Sequence, residues 1–212
     1  MRLNADFTQR ALVRFSESDW IASPMPGVDR KMLDRIGDEV ARATTIVRYA
    51  PGSAFSAHTH DGGEEYLVLD GTFCDEHGAF PAGTYVRNPP TSSHTPSAPD
   101  GATILVKLHQ FDPADRTQVR VDLDPAQDAQ PLHRDAVEEV RVAHWAPGTT
   151  VDLDAPGGIE LFVIDGGFEE SGDALSLWDW LRLPVGTRSS VTAGPDGARV
   201  WIKSGHLAHA PA

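Results

Sequence analysis

The sequence repeats itself, and that repeat limits the fold more tightly than chain length does. Tyr49-Ala50-Pro51-Gly52 returns as Trp145-Ala146-Pro147-Gly148, and Gly63-Glu64-Glu65-Tyr66-Leu67-Val68-Leu69-Asp70-Gly71 returns as Gly158-Ile159-Glu160-Leu161-Phe162-Val163-Ile164-Asp165-Gly166. Pro99-Asp100-Gly101-Ala102 then matches Pro195-Asp196-Gly197-Ala198. The offset is 96 residues at both ends and 95 in the middle, so a deletion and a later insertion separate the copies. Such self-similarity means one folding unit used twice, and 212 residues hold two domains of about 100 residues each. We place the units at residues 1–120 and 121–212, with residues 112–135, polar and proline-containing, as a linker plus an entering strand.

Within each unit the local signals are those of short strands. Residues 44–49, 66–69, 84–87 and 103–108 are β-branched or aromatic and are bounded by Pro, Gly, Asp or Asn. The 19 Gly and 16 Pro supply turns, and residues 29–38 are the one short helix expected. Strands so often interrupted favour a small sandwich or barrel over βαβ units, so the chain is expected to be mainly β. Thirty-one acidic against 18 basic residues leave a charge of −13, the wrong sign for a surface that neutralises phosphates or anionic lipid. Neither nucleic acid nor membrane is therefore expected as a partner. One cysteine, Cys74, excludes an intramolecular disulfide and a multi-cysteine zinc site. With no signal-like or membrane-spanning apolar run, a cytoplasmic protein is expected.

The first copy carries the chemistry. His58-Thr59-His60 is followed by Asp61-Gly62-Gly63 and then Glu64. On a strand, side chains two residues apart share a face about 6.6–7 Å apart, so two imidazoles can converge on one ion. The Asp-Gly-Gly turn then lets Glu64 return a carboxylate to the same point. His94, in the proline-bracketed stretch Pro89-Pro90-Thr91-Ser92-Ser93-His94-Thr95-Pro96, is a fourth candidate. Three imidazoles and a carboxylate suit a borderline divalent metal such as Fe, Mn, Ni, Cu or Zn and leave coordination positions open. Tyr66 shares the face of Glu64 and is a candidate to line the metal cavity, as a polar contact or as packing. Glu65, on the opposite face, is expected at the surface.

Gly52-x5-His58-x-His60-x3-Glu64-x6-Gly71 resembles the first motif of the cupin superfamily without a mismatch, and Phe80-Pro81-Ala82-Gly83-Thr84-Tyr85 followed by His94 resembles a variant of the second. The longer interval to His94 looks like the ChrR type, which includes the C-terminal domain of an anti-sigma factor and relatives of acetylacetone-cleaving dioxygenase. The resemblance implies tandem cupin barrels (double-stranded β-helices, jelly-roll-like), that is, a bicupin. It makes His58, His60, Glu64 and His94 the metal ligands. It also implies one divalent transition metal per chain, with Fe(II) first and Zn, Mn or Ni as alternatives. Glu64 either ligates or serves as a base, because the dioxygenase relatives rely chiefly on their histidines.

The second copy departs from the motif. On the repeat offset, His58 and His60 fall on Asp154 and on Ala155 or Pro156, and His94 falls on Ser190. Glu160 is the one ligand left, matching Glu64 or Glu65 according to the register chosen. A single carboxylate does not hold a transition ion, so this unit is expected to be a partner without a metal site. The alternative is an apolar pocket lined by Trp178 or Trp180. His77, His109, His133, His144, His206 and His209 are given no role, Cys74 is expected to be a buried small apolar residue, and Arg48, Arg87 and Lys107 are expected at the surface. The functional expectation is a metal-dependent, dioxygenase-like enzyme acting on a small dicarbonyl or hydroxyketone. The alternative is a regulatory or sensing cupin related to anti-sigma factors. Residues 1–42 hold no Cys or His with which to grip a sigma factor, which disfavours that partner. A homodimer is expected, because exposed sheet edges favour pairing.

Overall fold

In the computed structural model, which describes residues 1–210, the ordered elements are β-strands and two short 3-10 helices. The chain divides into two compact units. One contains Met1–Ala5 and Asp19–Leu123; the other contains Asp6–Ser18 and the chain from Asp124 onward. The second unit therefore begins within the first twenty residues, a departure from a single division near residue 120.

The main sheet of the first unit runs in the order Arg2–Leu3, Val28–Gly37, Ala41–Tyr49, Ala102–Leu108, Glu64–Asp75, Thr84–Asn88 and Val119–Asp122. The last of these strands lies in the stretch read as linker. It pairs with Thr84–Asn88 in full register, from Thr84 opposite Asp122 to Arg87 opposite Val119. The sheet of the second unit runs Ala129–Arg134, Glu139–Trp145, Thr187–Ser204, Ile159–Glu170, Trp180–Leu183 and Ala11–Val13. Apart from Arg2–Leu3, which has no counterpart in the second unit, the two orders correspond strand for strand up to the last position. There the first unit uses the chain that follows its own sheet, and the second uses the chain's N-terminal segment.

The expected helix at residues 29–38 is instead the ten-residue strand Val28–Gly37, paired with Ala41–Tyr49. Its register slips between Met32 and Asp34, where Leu33 is the extra residue of a bulge. A bulge breaks the alternation of faces, and the apolar Val28, Met32, Leu33 and Ile36 are spaced in the sequence like one face of a helix, although Ile36, opposite Arg42, does not share the face of Val28.

Each sheet curls over an apolar interior. In the first unit, Val28, Val47, Tyr66, Val68, Phe73 and Ile104 belong to it. In the second it includes Leu153, Ala155, Ile159, Leu161 and Ile202. The opposite faces are not open to water. Glu65, Arg87 and Lys107, strand residues all expected at the surface, lie instead side by side across three strands and are 1%, 2% and 1% exposed. Glu65 accepts from the Tyr85 hydroxyl at 2.7 Å, Lys107 donates to Thr44 Oγ1 at 2.8 Å, and Arg87 pairs with Asp115 beneath the Phe111 ring. Burial of such charges is tolerated because each has a partner of opposite sign or a hydrogen bond. Arg48 is exposed, as expected, in an ion pair with Asp29.

The second unit repeats this row as Glu160, Arg182 and Lys203. Trp180 Nε1 donates to Glu160 at 3.1 Å, standing where the Tyr85 hydroxyl does, and Phe7 covers Arg182 as Phe111 covers Arg87. The pairing settles the repeat register: Glu160 is the counterpart of Glu65, and Ile159 that of Glu64.

Candidate metal centre

The centre is built where two short strands of the first unit meet. His58–Thr59 pairs antiparallel with Ser93–His94, which sets His58 directly opposite His94. The ladder extends through His60 N–H to Ser92 O at 2.9 Å and Thr91 N–H to His60 O at 3.0 Å, bringing in the third imidazole. Alternation then acts as the sequence requires: the rings of His58, His60 and His94 lie 4.6–5.1 Å apart, each close to perpendicular to the others. One nitrogen of each falls within 4.8 Å of the other two, a group able to hold a metal ion. His60 and His94 are buried, and His58 is exposed.

The partners of the other nitrogens decide what these rings offer. His58 Nδ1 faces the Ser56 carbonyl at 3.3 Å, and His94 Nδ1 faces the Asp75 carboxylate at 3.2 Å; both partners only accept, so both nitrogens carry the proton. His60 Nδ1 faces Ser92 Oγ at 3.0 Å, and that hydroxyl already donates to Pro89 O at 2.6 Å, leaving it to accept from His60. All three rings therefore present a bare Nε2 lone pair to the shared point, the arrangement a metal requires. Burial, then the charges of His58 and His109, pulls the His60 pKa down to about 4. Burial likewise lowers that of His94, against the opposing pull of Glu64. Neutral imidazoles at physiological pH cost no proton on metal binding.

Glu64 stands beside this group. Its Oε2 is 3.3 Å from His60 Nε2 and 3.7 Å from His94 Nε2, and accepts from Asn88 Nδ2 at 3.2 Å. It is not within reach of all three imidazoles as they are of one another. Tyr66 lies on the same face but in the packed interior, against Phe73 at 5.3 Å and Phe80 at 6.2 Å; its buried hydroxyl has no hydrogen-bond partner. Burial, reinforced by Glu64, Asp75 and Tyr49, raises its pKa and keeps it protonated.

The turn that delivers Glu64 depends on glycine for a reason beyond flexibility. A Cβ on Gly62 would lie 2.4 Å from His109 Nδ1, and one on Gly63 would lie 2.4 Å from the Phe111 ring. His109, given no role from sequence, lies on this turn through its N–H to Gly63 O and lines the cavity over the histidines. Ser92, Asn88 and Asp75 were also missed. Only contacts between strands far apart in sequence identify them. Cys74, expected to be buried, is half-exposed.

That cavity, about 320 Å3, is lined by His58, His60 and Glu64, by the apolar Val47, Phe55, Val106 and Leu108, and by Tyr49, Arg30 and His109. Its size and mixed lining fit a small ligand.

In the second unit the strand register replaces the ligands. Ile159 stands for Glu64, and by the same offset Leu153 and Ala155 stand for His58 and His60, with Ser189 opposite Leu153. Asp154, expected on the repeat offset at the His58 position, points outward and is exposed. Leu153, Ala155 and Ile159 are buried in the apolar interior and bring no lone pair; burying a Leu or Ile side chain stabilises by about 1.5–3 kcal/mol. The Trp178 and Trp180 alternative is also overturned: Trp180 is fully buried with its N–H committed to Glu160, and Trp178 packs edge-on against Phe15 at 5.0 Å. His206 is not idle either, since its Nε2 bonds Glu160 at 2.9 Å. No helix among the described residues is long and apolar enough to cross a membrane.

Residues 8–112 match the family described as the ChrR Cupin-like domain. No curated protein matches the chain. Among solved structures, Escherichia coli YhhW superposes with a TM-score of 0.70 at 15% identity, over 92% of this chain and 97% of its own. A nickel(II) complex of YhhW, there called a bacterial pirin, gives 0.71 at 16% identity, over 92% and 98%. E. coli YlbA gives 0.71 at 12% identity, over 95% and 93%. A Nostoc punctiforme protein provisionally assigned as a dioxygenase gives 0.69 at 12% identity, over 98% and 83%. At these identities the likeness is one of fold.

Proposed function

Since residues 8–112 make this chain a ChrR-type member of the cupin superfamily, we propose that it is a mononuclear metal enzyme of the dioxygenase kind, acting on a small dicarbonyl or hydroxyketone. One observation carries the reading: three Nε2 lone pairs, each fixed by an accepting partner on Nδ1, meet at the wall of a ligand-sized cavity. Fe(II) is the first candidate, with Zn, Mn and Ni as alternatives, and the nickel(II) complex of YhhW supports keeping Ni(II) among them. A divalent ion held by His58, His60 and His94 would supply Lewis acidity toward a carbonyl oxygen and, as iron, an electron for dioxygen chemistry.

The protein's own groups do the rest. Glu64, held by Asn88, takes the proton from the carbon between two carbonyls, leaving the enolate that a three-imidazole site favours. Val47, Phe55, Val106 and Leu108 exclude water around the substrate. Dioxygen then places one atom on each carbon of the broken bond, so a β-diketone gives a carboxylic acid and a 2-oxoaldehyde.

Elemental analysis of protein purified without added metal, followed by oxygen uptake with β-diketones and hydroxyketones after Fe(II) loading, tests this. The expected result is about one ion per chain, lost in His94→Ala, and one dioxygen consumed per diketone cleaved. Negligible metal, unchanged in His94→Ala, refutes the site. Full metal uptake with no oxygen consumption across the panel refutes the dioxygenase reading in favour of a sensing module.

A further inference from the structure

The cavity over the histidines contains one cation that neither the metal centre nor the fold uses. Arg30 lies on the strand Val28–Gly37, in register with Val47, which pairs with Ile104, which pairs with Val68. Val47, Ile104 and Val68 all belong to the apolar interior, so Arg30 belongs to the inward-facing row. It lines the same cavity as His58, His60 and Glu64. Its Nε is buried and donates to nothing. The nearest carboxylate, Glu39, is 3.8 Å from Nη1, beyond hydrogen-bond distance, on a side chain 70% exposed. A guanidinium has five N–H donors and no acceptor, and an Nε–H left unpaired at the wall of a small cavity costs free energy that an acceptor entering the cavity recovers, most strongly an anionic one. In a chain of net charge −13, an inward-facing cation so loosely paired is not explained by solubility.

We propose that Arg30 is a specificity-determining residue that holds the carboxylate of an oxo-acid substrate, whose carbonyl end faces His58, His60 and His94. The planar fork of donors matches a carboxylate edge to edge, and Glu39 yields to the better-placed anion. This deepens the proposed function and rests on it: the substrate is a dicarbonyl that also carries a carboxylate, such as a 2,4-dioxo acid, rather than a neutral diketone.

Two probes separate the cases, acetylacetone and 2,4-dioxopentanoate, which differ by one methyl exchanged for carboxylate. Binding is followed calorimetrically without oxygen, on Ni(II)-loaded and on metal-free protein. Wild type is expected to prefer the acid about tenfold or more, as a charge-assisted hydrogen-bonded pair provides. Arg30→Gln is expected to bring the loaded protein's preference down to about that which the metal alone confers in solution, while metal stoichiometry and acetylacetone affinity stay at wild-type values; Arg30→Lys keeps part of it. An unchanged preference in Arg30→Gln, or none in wild type, overturns the assignment. Failure to take up metal instead refutes the reading beneath it. The metal-free comparison then still decides for Arg30, because acid binding lost in Arg30→Gln supports the anchor and absent binding overturns it.

Discussion

The proton on His94 Nδ1 is held by one carboxylate, and that contact sets how well the ring serves as a ligand. Asp75 lies at the far end of the strand Glu64–Asp75, eleven residues beyond Glu64, with its side chain 4% exposed and Oδ2 at 3.2 Å from Nδ1. The carboxylate fixes the tautomer, orients the ring and makes Nε2 more basic. Asp75→Asn keeps the shape and, through its amide oxygen, the tautomer, but removes the charge; Asp75→Leu removes the acceptor altogether. Such orienting partners are worth about 10–100-fold in metal affinity, or roughly 1.4–2.7 kcal/mol. We therefore expect Ni(II) or Fe(II) affinity, measured by competition with a chromophoric chelator at neutral pH, to weaken about tenfold in Asp75→Asn and toward a hundredfold in Asp75→Leu. The stoichiometry should hold at saturating metal, and Asp70→Asn, at an exposed position of the same strand, should change nothing. Wild-type affinity in an Asp75→Leu protein with an unaltered circular dichroism spectrum would refute the reasoning, since His94 would then ligate without its orienting group.

Three further outcomes follow from other contacts. Gly62→Ala forces a Cβ to within 2.4 Å of His109 Nδ1 and 2.7 Å of its Cα; a loss of about 1–3 kcal/mol in denaturant unfolding is expected, together with weaker metal binding as the turn shifts. Metal-free protein should lose stability as pH falls from about 6.5 to about 4, because folded His60 stays neutral down to about 4 while the unfolded chain protonates near 6.5. The unfolded state binds the extra proton throughout that window, so unfolding midpoints should fall with pH, and fall less steeply in His60→Phe. In the second unit, Trp180→Phe leaves one Glu160 oxygen without its indole donor and should cost about 1–3 kcal/mol in thermal or denaturant unfolding, with metal uptake unaffected.

Much of this was legible because the relevant information is local. His58 and His60 lie two apart on a strand, so alternation alone brings them together, and the Asp-Gly-Gly turn announces the return of the chain at Glu64. His94 was legible by resemblance to a motif. What was not legible depends on pairing. Glu65, Arg87 and Lys107 look like an outward face until three neighbouring strands place them in one row under Phe111 and Asp115. The strand Val28–Gly37 was misread because a bulge at Leu33 breaks the period of two on which strand recognition relies. Asp75 and Ser92 orient imidazoles from nineteen and thirty-two residues away along the chain, a distance over which no spacing rule applies. The ambiguity of Glu160 likewise ended only when its neighbours proved to be Arg182 and Lys203.

The crossing of the chain between its units bears on how the protein is made. Ala11–Val13 leaves the ribosome well before its partner strand, Trp180–Leu183. The first unit can complete its sheet by Val119–Asp122 while this segment still lacks its partner strand, which begins 167 residues beyond Val13. Contacts so distant in sequence are slow to form, and domains otherwise fold in order of emergence. No single proteolytic cut separates the two units intact: cleavage near residue 123 leaves the second half without an edge strand, and removal of the first eighteen residues damages the half that lies farthest from them in sequence.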